Sequence, residues 1–337
     1  MRKKAKKVLF IFVLATTLVV GGVFGQTTGD AIVTFICTRT VLGTEFQFIK
    51  TYTVNAATES EAIRKARVEL DKEAANAITV WNLLRTSVSW KDGASPQERQ
   101  AAAQRQQQQQ QQEQQQRQAQ GFSSSGFANL NKGDYDTAIA DYNQAIRLDP
   151  NNASYYNNRG VAYENKGNYD AAITDYTQAI RLDSNNATYY NNRGIQYSNK
   201  ADYDRAIADH NQAIRLAPNN AAYYNSRGWN YALKGDYDRA LEDANTSLRI
   251  KPNVDYVLHT RGFAYLGKGD YDRAITDFNA AININSNHYY AYTDRGYAYF
   301  QKGNYTQART DVNRALQISP NHQRAKDLDA QLKQRGY

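Results

Sequence analysis

Reactive residues are scarce in this chain of 337 residues. The single cysteine, Cys37, excludes an intrachain disulfide and reads as a small buried apolar residue of a strand. It also lies too far past the N-terminal apolar run to resemble a lipid-acylation site. The four histidines, His210, His259, His288 and His322, are scattered and match no metal-ligand spacing. No phosphate-cradling glycine loop and no G-x-S-x-G elbow is present. Negative charge is absent before Gln26, while Arg2, Lys3, Lys4, Lys6 and Lys7 lie there, so five of the net +8 charges belong to the leader and +3 to the rest. A weak, dispersed +3 is no electrostatic footprint for nucleic acid. These absences predict no catalytic centre, no cofactor, no metal and no nucleic-acid partner.

What is present at the N-terminus is a targeting pattern. The basic stretch is followed by an uncharged apolar run from Val8 to Phe24. Val23, Phe24 and Gly25 then offer short residues for a signal peptidase, which places the expected cleavage before Gln26. An uncleaved anchor over residues 8–24 is the alternative, because this run sits at the lower limit of about 17–25 residues for a membrane span. Either way, the positive end stays inside and the remainder is exported, to the periplasm or cell envelope or on an inner-membrane anchor.

Residues 30–92 read as a small α+β unit. Ala31 to Cys37 and Glu45 to Val54 are rich in β-branched and aromatic residues, with Gly43 between them, and predict a β-hairpin. Thr58 or Ser60 then caps a helix with Ala62, Ile63, Ala66, Leu70, Ala74, Ile78 and Trp81 at three- and four-residue steps. Two strands and one helix bury little surface, so this unit is a candidate for self-association. Residues 93–118 form a glutamine-rich linker, opened by Gly93 to Pro96 and containing an unbroken run from Gln106 to Gln112. It is either disordered or a solvated helical spacer, and its Gln, Ala, Arg and Glu content favours the helix.

From Ala119 onward the chain repeats every 34 residues. Gly126, Gly160, Gly194, Gly228, Gly262 and Gly296 mark one column, and Ala138, Ala172, Ala206, Ala240, Ala274 and Ala308 another. Six copies span 119–152, 153–186, 187–220, 221–254, 255–288 and 289–322. A fixed period of this length means stacked supersecondary units that bury apolar surface only against one another. The small residues mark where two helices cross. Lys-Gly pairs such as Lys132-Gly133 and Lys268-Gly269 end first helices. Asp134, Asn168, Asp202, Asp236, Asp270 and Asn304 cap second helices. Ala201 replaces the turn glycine in copy three, which predicts local strain.

Copy two runs Tyr156-Asn-Asn-Arg-Gly160-Val-Ala-Tyr163, then Ala172, Tyr176 and Ala179, with Ser184 where other copies have Pro150, Pro218, Pro252 and Pro320. This pattern, repeated six times over about two thirds of the chain, resembles the tetratricopeptide repeat family. The resemblance implies a mainly α fold, a right-handed α-solenoid of six helix-turn-helix repeats with a concave groove. The helical residues after Gln323, with Ala325, Leu328 and Leu332 on one side, resemble the capping helix that closes such arrays over 323–337. Arg159, Arg193, Arg227, Arg261 and Arg295 precede the glycines, and Asp141, Asp175, Asp209, Asp243, Asp277 and Asp311 lie on second helices. One catalytic site would not be copied along an array, so this recurrence predicts a ladder of ion pairs between packed helices. Ser125 replaces the arginine in copy one, which suits a terminal unit with no neighbouring unit to pair with.

In this family the concave face is lined by first-helix residues. By register these include Phe127, Val161, Ile195, Trp229, Phe263 and Tyr297, an apolar stripe of the kind that marks interaction sites. Asn157, Asn158, Asn191, Asn192 and Asn225 lie beside it, with His259 in the same row, and look like the asparagine ladder of O-linked N-acetylglucosamine transferases. Such amides can both donate to and accept from a peptide backbone. The basic residues that some family members use on chaperone carboxylates are replaced here by Asn157, Asn191 and Asn225, so a chaperone tail is not the expected ligand. The expectation is an exported, non-catalytic scaffold that binds extended peptide or protein in the groove. Alternatives are a structural assembly protein joined through residues 30–92 and a repeat appendage of an enzyme.

Overall fold

Alternating β-branched residues, one long glutamine-rich stretch and a 34-residue period give three kinds of local structure. The computed structural model describes residues 29–41, 44–56, 58–76, 82–90 and 94–337. The predicted targeting segment, residues 1–25, lies outside them. Among the described residues no helix is long and apolar enough to cross a membrane. The chain divides into two compact units, 1–114 and 115–337.

In the first unit β1 (Gly29–Val41) pairs antiparallel with β2 (Thr44–Ala56) in the register Gly29↔Ala56 to Val41↔Thr44. Cys37 lies in β1. The helix α1 (Glu59–Asn76) packs on the sheet through Ala62, Ala66 and Leu70, which are buried with Ala56. Of the two candidate caps, Thr58 is the one used: its Oγ1 accepts from the Glu61 amide at 3.1 Å. The expected hairpin-plus-helix is incomplete. A third strand, β3 (Asn82–Trp90), pairs antiparallel with β1, giving the order β2-β1-β3. Leu84, Thr86, Val88 and Trp90 alternate there with Arg85, Ser87 and Ser89, a period-two signal overshadowed by the helical run before it. Ile78 and Trp81, expected on the helix, lie outside the described residues.

The glutamine-rich stretch is helical. It belongs to α2 (Pro96–Asn131), a helix of 36 residues that passes residues 118 and 119 without a break. A capping box starts it: the Ser95 amide donates to Glu98 Oε2 at 2.6 Å, and the Glu98 amide donates to Ser95 Oγ at 3.3 Å. Pro96, at the first helical position, needs no amide partner there.

The second unit is an α-solenoid of consecutive helix pairs. After α2 come α3 (Tyr135–Leu148), α4 (Ala153–Asn165), α5 (Tyr169–Leu182), α6 (Ala187–Asn199), α7 (Tyr203–Leu216) and α8 (Ala221–Leu233). Then follow α9 (Tyr237–Ile250), α10 (Asp255–Gly267), α11 (Tyr271–Ile284), α12 (Tyr289–Gln301), α13 (Tyr305–Ile318) and α14 (Gln323–Gln334). Asp134, Asn168, Asp202, Asp236 and Asp270 accept from the backbone amide three residues on, as expected of N-caps, whereas Asn304 makes no such bond. The turn glycines are left-handed, as at Gly235 with φ +83°, and Ala201 is forced into the same region at φ 58°.

The glycine column has a more specific cause than helix crossing in general. A Cβ on Gly160 would come within 2.7 Å of the Tyr176 ring, one on Gly194 within 2.8 Å of the His210 ring, and one on Gly262 within 2.7 Å of the Phe278 ring. The second helix thus lays a flat ring on the first at the position sixteen residues on. Copies four and six have Ala244 and Val312 there, and the helix backbone itself closes in. A Cβ on Gly228 would lie 3.3 Å from Ala240 O, and one on Gly296 would lie 3.4 Å from Ala308 O.

Candidate peptide-binding groove

First helices touch one another along the array, α6 on α8, α8 on α10, α10 on α12 and α12 on α14. Second helices make their main contacts with the first helices on either side. The first-helix layer is therefore the tighter-spaced, inner layer, and residues that its members turn away from the second helices face the groove.

The arginine ladder holds this layer in place. Arg227 Nε and Nη2 donate to the two oxygens of Asp243 at 2.8 and 2.6 Å, and the same fork joins Arg159 to Asp175, Arg193 to Asp209, Arg261 to Asp277 and Arg295 to Asp311. The remaining Nη1 reaches the previous copy: Arg227 donates to Asn211 Oδ1 at 2.8 Å and Arg193 to Thr177 Oγ1 at 3.0 Å. Burial pushes the Asp243 carboxyl up while the Arg227 donors pull it down. The hydrogen bonds to Asp243 hold Arg227 in its charged form, and two donors on one carboxylate keep the pair ionised. Ser125 takes the arginine's place in copy one. Its Oγ donates to Asp141 Oδ2 at 2.7 Å, joined by Asn129 Nδ2 at 2.9 Å, because the aspartate is paired within its own copy. What copy one lacks is a preceding copy for an arginine to reach.

Asn157 Nδ2 donates to Asn158 Oδ1 at 3.0 Å, and Asn192 Nδ2 donates to Asn157 Oδ1 at 3.1 Å. The amide row in copies two and three is therefore partly spent on itself. The side-chain oxygens of Asn191 and Asn225 are buried with no hydrogen-bond partner among the described residues. Val161, Ile195, Trp229, Phe263 and Tyr297 are half-buried, and Phe127 is 54% exposed.

Farther along, the same positions carry rings. The Trp229 and Phe263 centroids are 5.1 Å apart, and Trp229 lies 5.7 Å from His259. Tyr256 and Tyr290, in the next register position on α10 and α12, are 44% and 47% exposed. His259 Nε2 lies 2.9 Å from Asp294 Oδ2, the same inter-copy step that joins Asn157 to Asn192. Arg324 of α14 meets the other oxygen of Asp294 at 2.7 Å. Scattered along the sequence, three of the four histidines come together in space. His259 and His288 rings are 5.0 Å apart, and Tyr290 bridges to His322 at 5.0 Å. Burial is the main cause that lowers the His288 and His322 pKa values, which favours their neutral forms. His288 and His322 are 34 residues apart, one repeat, and that is the signal that could have paired them; His259 precedes His288 by 29, which is no repeat step. Among the described residues no group of His, Cys, Asp and Glu is arranged to hold a metal ion.

His210 stands apart from this cluster. It replaces the ring that Tyr142, Tyr176 and Phe278 supply, and it is fully buried with neither nitrogen bonded. Burial pushes its pKa down to about 4, with the Arg227 charge adding to the effect. Gln196 and Asn230 are likewise buried, in a column held elsewhere by Ala162, Ala264 and Ala298.

Several solved structures share the fold. A tetratricopeptide repeat protein from Parabacteroides merdae is 21% identical, with a TM-score of 0.58 over 66% of this chain and 88% of that one. Pseudomonas aeruginosa pilF is 17% identical, with a TM-score of 0.54 over 64% of this chain and 99% of that one. A chain of the APC/C hetero-tetramer Cut9-Hcn1 is 22% identical at a TM-score of 0.58, over 64% of this chain and only 42% of that one, so the match spans under half its length. These identities establish the fold alone. No curated protein sequence matches. Family models described as TPR repeat or tetratricopeptide repeat match residues 128–167, 153–186, 175–208, 192–255 and 262–333. Residues 128–333 are a tetratricopeptide repeat segment, and through them this chain belongs to the tetratricopeptide repeat family.

Proposed function

We propose that this protein is an exported, non-catalytic adaptor that holds an extended peptide or protein segment along the first-helix face of its solenoid. One observation carries the reading: Val161, Ile195, Trp229, Phe263 and Tyr297 recur at a single register on adjacent first helices and stay partly open to water. A row of partly exposed apolar side chains lowers its free energy when a partner covers it. The solenoid's general kinship with protein-interaction scaffolds supports the same reading. Export rests on the basic and apolar N-terminal run, and cell fractionation with and without residues 1–25 tests it. The groove is tested by capturing partners from envelope extract with the whole chain, then titrating the captured segment against Trp229→Ala. Unchanged affinity in that variant, with helical content preserved, would move the function elsewhere.

A second reading, self-association through the first unit, is supported by its sheet order. With β1 in the centre, β2 and β3 are both edge strands, and edges are templates for pairing with another chain. Sedimentation of the chain with and without residues 26–118 separates the two readings.

A further inference from the structure

We propose that the C-terminal end of the groove is a guanidinium-binding subsite built on Asp294, made for an arginine side chain of the bound segment and filled in the free protein by the chain's own Arg324. This rests on the groove reading above and names what that groove selects.

Asp294 is the charged member of a polar column that reads Asn158, Asn192, Ser226 and Thr260 in earlier copies. It is 2% exposed, and breaking a pair at so buried a carboxylate is costly. His259 Nε2 meets one oxygen at 2.9 Å and Arg324 Nη1 the other at 2.7 Å. The Arg324 guanidinium carbon also lies 5.2 Å from the Phe263 ring centroid and 5.7 Å from that of Tyr297. A carboxylate beneath and aromatic faces beside it are the surroundings that suit a planar guanidinium better than a compact ammonium.

The ladder arginines show what a permanent arginine looks like in this fold. Each binds both oxygens of its aspartate through Nε and Nη2, and the side chains are 18–26% exposed. Arg324 differs on every count. It approaches a single oxygen, the Asp294 Oδ1 atom accepts no aligned hydrogen bond, and the side chain is 43% exposed. Its helix does not depend on it either: Ala325, Leu328 and Leu332 are buried, and Leu328 and Leu332 pack with Ala308 and Val312. Arg324 can therefore leave Asp294 while α14 stays docked.

A tethered occupant competes at high effective concentration. A free guanidinium is thereby weakened but not excluded, whereas an arginine whose segment is already held by the apolar row competes on equal terms, so groove occupancy is coupled to the subsite.

The test uses N-acetylarginine amide, titrated by calorimetry into the whole chain. Arg324→Ala and Arg324→Gln should each bind it saturably. With Arg324 in residence in about nine molecules of ten, the parent should bind it about tenfold more weakly. Adding Asp294→Asn to Arg324→Ala should abolish binding, and the neutral isostere N-acetylcitrulline amide should not bind any variant. No binding to either Arg324 variant with parent-like circular dichroism would overturn the proposal, as would equal binding of the citrulline probe. Loss of helical structure in both variants would make Arg324 a structural clasp and overturn it too. Each of those failures leaves the groove reading intact, because that reading is judged by partner binding to Trp229→Ala.

Discussion

At one groove register copies two and three carry aliphatic side chains where copies four to six carry rings. At a second the amides run through copy four before His259 and Thr293 replace them. Asn157, Asn191 and Asn225 give way to His259, and Val161 and Ile195 give way to Trp229, Phe263 and Tyr297. The columns that join helix to helix do not change along the same path. Every copy from two to six has the arginine, the glycine, the alanine and the buried aspartate. The difference separates two demands on one repeat. Positions between helices are held to one shape by close packing, whereas positions facing the groove are free to differ from copy to copy. The array therefore offers a polar half and an aromatic half on one scaffold, and the two overlap in copy four, which has both Asn225 and Trp229.

The largest effect should ignore that division. Arg227→Ala leaves a nearly buried Asp243 carboxylate without its fork, so it should destabilise the array by about 3 kcal/mol or more. Arg193→Ala, in the polar half, should cost about the same by this argument. Thermal unfolding of the two variants checks it; a large inequality would mean that the ladder also serves one half of the groove.

The next test concerns His210, where the interior itself departs from the pattern. Its pKa falls from an ordinary 6.5 to about 4, so the unfolded chain takes up the proton first. Stability should be unaffected above pH 6.5 and should fall progressively as pH drops from there to about 4, by roughly 3 kcal/mol for this one group. His210→Phe restores the residue type of copy five, removes two unbonded buried nitrogens and should abolish that acid sensitivity. Urea midpoints of parent and variant at pH 7.5 and pH 4.5 decide it. A parallel fall in both would clear His210 of the role.

Trp229→Ala should weaken an identified partner by about 30-fold, near 2 kcal/mol, because central aromatic anchors dominate interfaces. Asn191→Ala should weaken it less, by about 1 kcal/mol for a net hydrogen bond. Titration of both sharpens the contrast between halves, and the reverse order would place the binding energy in the amides. The smallest effect is local. Ala201→Gly relieves the left-handed backbone at φ 58° and should stabilise copy three by about 1 kcal/mol, read as slower amide exchange at the α6–α7 turn.

Much of this architecture is legible in the sequence. The ion pairs follow from recurrence, since an arginine and an aspartate sixteen residues apart in copy after copy must meet each other. The N-caps follow from short polar residues after turn glycines. The first unit is less legible, because a short strand such as β3 next to a helix-like run gives a weak period-two signal. The Ser95–Glu98 capping box is masked by the glycine and proline beside it, which announce a linker. The pairing of Ser125 is hidden too, because sequence alone does not say whether a pair lies within a copy or between copies.

By itself, the sequence determined the repeat, its helix boundaries and its paired charges, because each depends on spacing within one copy. Only the tertiary structure decided that His259, Asp294 and Arg324 meet over Phe263 and Tyr297. Those residues lie on three different helices about one repeat apart. No local periodicity links them, and their contact exists only because stacked first helices bring equivalent faces within reach of one another.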